Sequence, residues 1–266
     1  MTGEWMRTAR LYVRLLGAQL RAAAQYKADF LVMIFAAVLS QGVGLIFLAA
    51  LFARVPHLDG WSFWLVALMY AMVTVAEGIG SLLFEGTWRL AAMVNSGELD
   101  YLLVRPYPVA LQLMSSAVGF NGLGNLVLGT AMIVVALCYA PLQWSPLQGL
   151  ILVLLAGSAV VVKLAMNLAT NAASFWLQGR NPVVAYAMHQ VGELARYPLG
   201  IYPVGLRVVL TTVVPFAFTS YYPVSYLADG VDATIGLLTP AVAVACVFIA
   251  IWVFRRGLRR YESAGS

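Results

Sequence analysis

The sequence predicts an all-α integral membrane protein, on the grounds of its composition and its long apolar runs. Charged residues make up 10% of the 266 residues, hydrophobic residues make up 62%, and the mean hydropathy is +0.86. A soluble globular domain carries about 25% charged residues, so this composition excludes that class. The apolar runs suit helices of about 20 residues across a bilayer, and they lack the alternating pattern of porin strands.

Six apolar runs are interpreted as six transmembrane helices. The predicted spans are Leu31–Phe52, Trp61–Leu83, Val109–Tyr139, Leu147–Phe175, Gly205–Ser220 and Leu237–Phe254. Prolines interrupt the region of the fifth span, at Pro198, Pro203, Pro215 and Pro223. Spans and loops use nearly the whole chain, so we predict a single transmembrane domain over residues 1–266, without a separate soluble catalytic domain.

The basic residues predict the orientation of the spans. With both termini cytoplasmic, the outside segments contain Arg54 alone, and Lys163 falls within a span. The inside segments then contain Arg7, Arg10, Arg14, Arg21, Lys27, Arg89, Arg105, Arg180, Arg196, Arg207, Arg255, Arg256, Arg259 and Arg260. The outer loops instead carry Asp59, Asp229 and Asp232. This distribution follows the positive-inside rule and predicts that both termini are cytoplasmic.

Residues 1–30 are predicted to contain a cytoplasmic amphipathic helix that lies on the membrane surface. Arg7, Arg10, Arg14 and Arg21 share an arc of about 60° on an ideal helix. The opposite face carries Trp5, Tyr12, Val13, Leu16 and Leu20. Such a helix places its arginines near anionic headgroups, where it either anchors the chain or contacts a cytoplasmic partner.

The segment between the second and third spans is the most informative part of the sequence. Residues 84–106 read FEGTWRLAAMVNSGELDYLLVRP, with charges of both signs and helix-forming potential. A short turn would suffice to connect two spans. The extra length predicts a docking helix on the cytoplasmic face and a membrane domain driven by a partner protein.

Motifs for catalysis or nucleotide binding are missing from the sequence. Neither Lys27 nor Lys163 follows a glycine, so there is no Walker A loop. There is no HExxH motif, no Gly-x-Ser-x-Gly motif and no pair of aspartates within the spans. We therefore expect no enzymatic activity, no metal and no cofactor in this chain.

Polar residues within the spans form the second functional candidate. Lys163, Asn167, Thr170, Asn171 and Ser174 share one helical stripe on the fourth span. A lone charge in hydrocarbon is costly, so Lys163 is expected to face the interior and to reach Glu77 of the second span. A substrate path would include Glu77, Asn121, Asn125, Lys163, Asn167 and Asn171. The alternative is that these residues form interhelical hydrogen bonds that hold the bundle together.

The aromatic stretch after the fifth predicted span is the third candidate. Residues 216–236 are predicted to form an external re-entrant region. A possible outer gate consists of Pro215, Phe216, Tyr221, Tyr222 and Pro223. The alternative is an aromatic belt at the membrane interface.

Four stretches of the chain together resemble the membrane subunits of bacterial ABC exporters, in the six-span branch of the type-two permease group. They are Tyr26-Lys27-Ala28-Asp29-Phe30, Gly97-Glu98-Leu99-Asp100-Tyr101-Leu102-Leu103 with Pro106, the stretch from Pro215-Phe216 to Tyr221-Tyr222-Pro223, and the closing Tyr261-Glu262-Ser263-Ala264-Gly265-Ser266. The resemblance covers nearly the whole chain, and the Gly-Glu-Leu-Asp…Pro motif is its most specific part.

The resemblance implies partners and roles for these segments. The loop between spans two and three would be a coupling helix that docks on a separate ABC ATPase subunit. The coupling residues would be Glu85, Asn95, Gly97, Glu98, Leu99, Asp100, Leu103 and Pro106. ATP and Mg would bind the ATPase, a second permease (identical or paralogous) would complete the transporter, and the location would be the bacterial inner membrane.

The expected function is therefore export of an amphipathic or lipid-like substrate, driven by a separate ATPase subunit. One alternative is an ATP-independent secondary transporter or channel, for which Glu77 and Lys163 would supply charged groups along the path. Another is a membrane scaffold or sensor that transports nothing.

Overall fold

The computed structural model describes residues 2–24, 27–142, 145–177, 179–230 and 233–262, and within these ranges the fold is helical without a β-sheet. The α-helices are α1 Thr2–Ala24, α2 Lys27–Phe52, α3 Phe63–Phe84, α4 Leu90–Ser96, α5 Leu99–Leu103, α6 Val109–Met114, α7 Asn121–Tyr139, α8 Pro146–Asn171, α9 Val183–Glu193, α10 Val204–Val208, α11 Tyr221–Leu227, α12 Ala233–Gly236 and α13 Thr239–Arg260. Shorter turns are the 3-10 helices Glu85–Arg89, Ala172–Phe175, Leu194–Arg196, Leu199–Ile201 and Phe216–Thr219 and the π-helix Val209–Val213. The predicted all-α membrane class is confirmed.

Five helices in the described part of the chain are long and apolar enough to cross a membrane. They are Phe30–Phe52, Phe63–Ser96, Asn121–Tyr139, Pro146–Phe175 and Thr239–Arg260. Phe63–Ser96 consists of α3, the 3-10 turn Glu85–Arg89 and α4, and Pro146–Phe175 consists of α8 and the 3-10 turn after it. Four of the six predicted spans overlap these helices closely. The third helix begins at Asn121, later than the predicted Val109, because α6 and a turn precede α7. The count of six transmembrane helices stays a prediction.

The fifth predicted span is not a continuous helix. Residues of Gly205–Ser220 belong to a single α-helical turn, a π-helical turn and a 3-10 turn. Pro203 precedes this stretch and Pro215 lies within it, and each lacks the N–H that a continuing helix would need. The predicted boundaries of the fifth span were therefore wrong.

The chain instead crosses from one end of the bundle to the other between Val183 and Ile201. Just before this stretch, Gly179 is hydrogen-bonded to Asn95, which lies between α3 and α7. Near its end, Gly200 lies against the carboxylate of Asp59, in the loop between α2 and α3. We call these two ends of the bundle the 85–106 end and the 53–62 end.

This path changes the position of two arginines that were assigned to inside loops. Arg196 lies within the crossing and is buried. Arg207 donates hydrogen bonds to the carbonyl oxygens of Gly200 and Tyr202, at the 53–62 end. The bias of basic residues toward the 85–106 end remains, because the other basic residues of the inside group are unaffected.

Helix α3 is the centre of the bundle, and it meets α7 at a pair of glycines. Of the 18 most apolar consecutive residues of Phe63–Ser96, which begins with α3, 67% are buried, against 17% in Phe30–Phe52 of α2. A Cβ atom built on Gly122 would lie 2.6 Å from the carbonyl oxygen of Gly78, and one on Gly78 would lie 2.9 Å from that of Gly122. Small residues permit this close approach of the two backbones.

Replacing Gly122 with Ala is expected to destabilise the bundle by about 1–3 kcal/mol, because the added methyl group must separate two packed backbones. The apparent melting temperature of the detergent-solubilised protein measures the effect. Gly157→Ala is the matched control, since a Cβ at this helical glycine meets nothing within 4 Å. Equal melting temperatures for the two variants would contradict the close contact.

The N-terminal helix α1 is attached to the end of α3. The hydroxyl of Tyr12 donates a hydrogen bond to the carbonyl oxygen of Leu83, and burial raises the pKa of Tyr12 to about 12, so the donor proton is retained. Leu16 is buried, whereas Val13 and Leu20 remain exposed. That exposed apolar surface suits a helix lying on a membrane.

Parts of several predictions lie outside the described residues. These are Met1, Gln25 and Tyr26 of the N-terminal region, Val231 and Asp232 of the predicted external region, and residues 263–266 of the closing motif.

Candidate functional site

A cavity of about 720 Å³ lies between α2, α3, α7, α8 and α9. Five of the six residues predicted for a substrate path line its wall: Glu77, Asn121, Asn125, Lys163 and Asn167. The sixth, Asn171, is fully buried one turn along α8, where its amide donates to Asn167 Oδ1 at 2.8 Å. The stripe on α8 therefore faces the bundle interior, as predicted.

Glu77 is the centre of a buried charge cluster on one side of the cavity. Lys163 Nζ lies 2.9 Å from Glu77 Oε1, which confirms the predicted ion pair. Arg196 Nη2 lies 3.1 Å from Glu77 Oε2, and His189 Nδ1 lies 3.6 Å from Oε1. Two cations thus bind the two oxygens of one carboxylate, which compensates much of the desolvation of all three groups.

Arg196 connects this cluster to the neighbouring helices, and the sequence interpretation missed its role. Its Nε lies 2.7 Å from Glu193 Oε2, and its Nη1 donates to Gln41 Oε1 at 2.8 Å. The guanidinium stacks 4.4 Å from the ring of Tyr70, whose hydroxyl also donates to Gln41 Oε1. Residues from α2, α3 and the α9 segment are therefore held by one side chain.

The cluster balances its charges. Two carboxylates, Glu77 and Glu193, face two cations, Lys163 and Arg196, with His189 beside them. By spacing, Glu77, His189 and Glu193 could offer ligand atoms to a metal ion, because these atoms lie within 4.8 Å of one another. The adjacent lysine and arginine would repel a divalent cation at that position.

The segment between α3 and α7 folds back on the bundle and presents one exposed edge. Gly97, with φ of 76°, turns the chain between α4 and α5. Of the predicted coupling residues, Asn95, Glu98, Leu103 and Pro106 are exposed, Gly97 and Asp100 are partly exposed, and Leu99 is fully buried. Tyr101 and Val104, which were not predicted, are 71% and 82% exposed.

Two predicted coupling residues, Leu99 and Glu85, therefore do not lie on the exposed edge, whereas the partly exposed Asp100 does. Leu99 packs into the core and holds α5 against the bundle. Glu85 points back toward α7, where its carboxylate would lie 2.8 Å from a Cβ built on Gly119. The exposed edge is formed by residues 95–98 and 100–106, apart from the buried Leu102, and we call it the docking edge.

Residues 85–106, the segment that carries the docking edge, are linked to the cavity in two ways. In the 3-10 turn Glu85–Arg89, Thr87 Oγ1 donates to Asn167 Oδ1 at 2.8 Å, and Trp88 forms part of the cavity wall. Farther along, the amide of Asn95 donates to the carbonyl oxygen of Gly179 at 2.8 Å and accepts from its N–H at 3.2 Å. The chain after Gly179 leads into α9, which carries His189 and Glu193 into the cavity.

Replacing Asn95 with Ala is expected to release the loop after α8 from the docking edge, because both bonds to Gly179 are lost. Each such bond contributes about 1 kcal/mol. Hydrogen–deuterium exchange should then increase in residues 176–182. The exposed Asn181, replaced with Ala, is the control, and equal exchange in the two variants would contradict the link.

The residues of the possible outer gate are packed between the cavity and the 53–62 end. Phe216 lies against the cavity cluster, 5.4 Å from Lys163 Nζ, and the ring of Tyr221 lies 5.6 Å from that of Trp61 in the α2–α3 loop. Tyr222 and Pro223 are buried and Pro215 is partly buried. An aromatic belt would expose its rings to the lipid interface, which these residues do not do. An opening toward the 53–62 end would require them to move.

These features define a polytopic helical membrane protein with a polar internal cavity and an exposed edge connected to it. A family model described as ABC-2 family transporter protein matches residues 38–265, and the chain belongs to this family. The resemblance to type-two ABC permeases is thereby confirmed. Membership makes the chain a membrane permease component of an ABC transporter and implies an ABC ATPase partner. Searches of curated proteins and of solved structures found no match.

Proposed function

We propose that this chain is the permease subunit of an ATP-driven exporter, and that a separate ATPase subunit drives it through the docking edge. The observation that carries the proposal is the pair of links between residues 85–106 and the cavity. Thr87, in the first turn of this segment, bonds to Asn167, and Asn95, on the docking edge, bonds to Gly179. A displacement of residues 85–106 by a partner would move residues of the cavity wall directly.

The proposed mechanism is a cycle between two arrangements of the bundle. ATP-dependent closure of two ATPase subunits would push the docking edges of two permeases, which are identical or paralogous. A partner biases such a cycle when it binds the two arrangements with different affinity. The gate residues Phe216 and Tyr221 would move in the arrangement that opens the cavity toward the 53–62 end.

The proposed substrate is amphipathic or lipid-like. The inner wall of the cavity carries charged and amide side chains, whereas its margin along α2 includes Val43 and Phe47, which are exposed on the outside of the chain. A polar headgroup would fit the inner wall while an apolar chain remained beside α2. Both termini and the docking edge are proposed to face the cytoplasm of a bacterial cell, in agreement with the positive-inside rule.

The second candidate is a secondary transporter that works without ATP. It is favoured by one observation, the grouping of the titratable residues Glu77, His189 and Glu193 in the cavity wall. Proton-coupled carriers use such groups. Transport that persists in vesicles without any ATPase, and that follows a proton gradient, would support this candidate.

Co-expression with the ABC ATPases of the same organism, one at a time, tests the main proposal. The purified complex in vesicles is expected to hydrolyse ATP and to move a fluorescent short-chain lipid across the membrane only when ATP is supplied. A Walker B glutamate-to-glutamine variant of the ATPase serves as the inactive control. Failure of every such ATPase to co-purify, or transport that is equal without ATP, would overturn the proposal.

A further inference from the structure

A groove of about 850 Å³ runs along the outer face of α13 at the 85–106 end, apart from the cavity described above. The part toward the middle of α13 is aromatic and apolar, and it is lined by Phe248, Ile251 and Trp252 of α13 and by Trp176, which follows α8. The part toward the end of α13 is lined by four arginines of its last two turns. Each of the seven α13 residues is exposed in this chain.

The two parts of the groove belong to one face of the helix. On an ideal helix, Phe248, Trp252, Arg255 and Arg259 lie within an arc of about 60°. The opposite face of α13 is packed on α8 and on the 3-10 turn Ala172–Phe175 after it. There Phe254 contacts Phe175 at 5.6 Å between ring centroids, and a Cβ on Gly257 would clash with the Phe175 ring. The groove face is therefore free to meet a molecule from outside the chain.

The chemistry of the groove changes along the helix. Phe248 to Arg259 covers about 16 Å, at 1.5 Å per residue. The aromatic part lies within a helix that is long and apolar enough to span the membrane, and the arginines follow at its end. Arg256 lies 5.7 Å above the ring of Trp252, so the two parts meet in one cation–π contact.

We propose that this groove binds an anionic phospholipid, with its phosphate on the arginines and its acyl chain along Phe248, Ile251 and Trp252. Charge complementarity supports this occupant. Arg255, Arg256, Arg259 and Arg260 face one carboxylate in the groove, that of Glu262, so the site has excess positive charge. Guanidinium groups pair with phosphate oxygens through two parallel hydrogen bonds, and each basic residue near an anionic leaflet contributes about 1 kcal/mol.

A water-soluble anion would use only the arginines and would leave the aromatic part unfilled. A phospholipid fills both parts. Tryptophan in membrane proteins lies at the membrane interface, so a phosphate held by the arginines leaves the acyl chain beside Trp252 and Phe248. The site does not depend on the proposed function, since its lining shares no residue with the cavity or with the docking edge.

Fluorescence quenching by brominated lipids tests the proposal, with Trp252 as the reporter. The full chain is reconstituted in vesicles that contain phosphatidylglycerol and phosphatidylcholine, with one of the two lipids brominated on its acyl chains. The difference between wild type and Trp252→Phe isolates the reporter. Brominated phosphatidylglycerol is expected to quench Trp252 more strongly than brominated phosphatidylcholine at the same mole fraction.

The variants separate the arginine site from general membrane charge. Arg259→Gln is expected to lower the preference for phosphatidylglycerol about fivefold. Replacing all four arginines with Gln should abolish it. Arg7, Arg10, Arg14 and Arg21 of α1 offer a matched removal of four charges, which should leave the preference at Trp252 unchanged. Arg259→Lys, which keeps the charge, should retain more of the preference than Arg259→Gln.

Each outcome decides the proposal. Equal, strong quenching by both lipids would show that acyl chains occupy the groove without headgroup recognition. Weak quenching by both would show that a protein chain covers this face. A preference that survives in the four-arginine variant would place the lipid elsewhere. All three results would overturn the proposal, and if the four-arginine variant fails to fold, Arg259→Gln alone gives the answer.

Discussion

Replacing Arg196 with Met is expected to destabilise the protein by about 3–5 kcal/mol and to abolish transport, because it removes one partner of a buried charge network. Glu193 would lose the guanidinium that lies 2.7 Å from its carboxylate, whereas Glu77 would keep Lys163. Gln41 and Tyr70 would lose their shared contact with the same side chain. The apparent melting temperature in detergent and transport in vesicles measure the two effects.

A second substitution distinguishes lost charge balance from lost packing. Glu193→Gln, combined with Arg196→Met, removes the carboxylate that the first change leaves unpaired. The double variant is expected to recover part of the stability, with a coupling energy in the range of about 0.5–3 kcal/mol. Arg196→Lys keeps the charge but not the planar contact with Tyr70, and should fall between wild type and Arg196→Met. Strictly additive losses would mean that Arg196 and Glu193 do not interact.

Changing Glu98 to Arg together with Val104 to Glu is expected to leave the protein in the membrane and to abolish its association with the ATPase. Both side chains are exposed on the docking edge, Val104 by 82%. A charge reversal and a new charge in a partner contact each disturb complementarity, and together they should weaken binding by at least about tenfold. Co-purification of the ATPase with the tagged permease measures the loss.

The control for this pair is a charge reversal elsewhere on the exposed surface. Glu262→Arg makes the same charge reversal as Glu98→Arg, at an exposed residue just after α13 that is not part of the docking edge. It should leave the association intact. Normal co-purification of the Glu98→Arg, Val104→Glu variant would mean that the docking edge is not the site of contact.

The sequence was sufficient for the parts of the site that lie on regular helices. A charge within an apolar span has to face inward, so Lys163 and Glu77 could be paired before the structure was known. The four-residue spacing of Asn121 and Asn125 likewise predicted one face of α7, and both residues line the cavity. The spacing of polar residues predicts which face of a regular helix turns inward, because residues three or four positions apart lie on the same face.

The rest could not be predicted, because it depends on contacts between distant segments. Prolines interrupt the stretch around Arg196, so no periodicity placed that residue within a crossing, and the rule for basic residues assigned it to a loop. A lone glutamine in the first span, Gln41, gave a weak signal of a buried polar partner. Leu99 lies in the most specific motif, yet only the packing of α5 shows that its side chain faces the core.

Cysteine accessibility at Val104 tests the central claim most directly. In a background with Cys138→Ser and Cys246→Ala, Val104→Cys is labelled with a membrane-impermeant maleimide, and Val55→Cys in the α2–α3 loop serves as the external reference. We predict that Val55→Cys reacts in intact cells, whereas Val104→Cys reacts only after permeabilisation and less when the ATPase is co-expressed. Labelling of Val104→Cys in intact cells would put the docking edge outside the cell, where no ATPase could drive it.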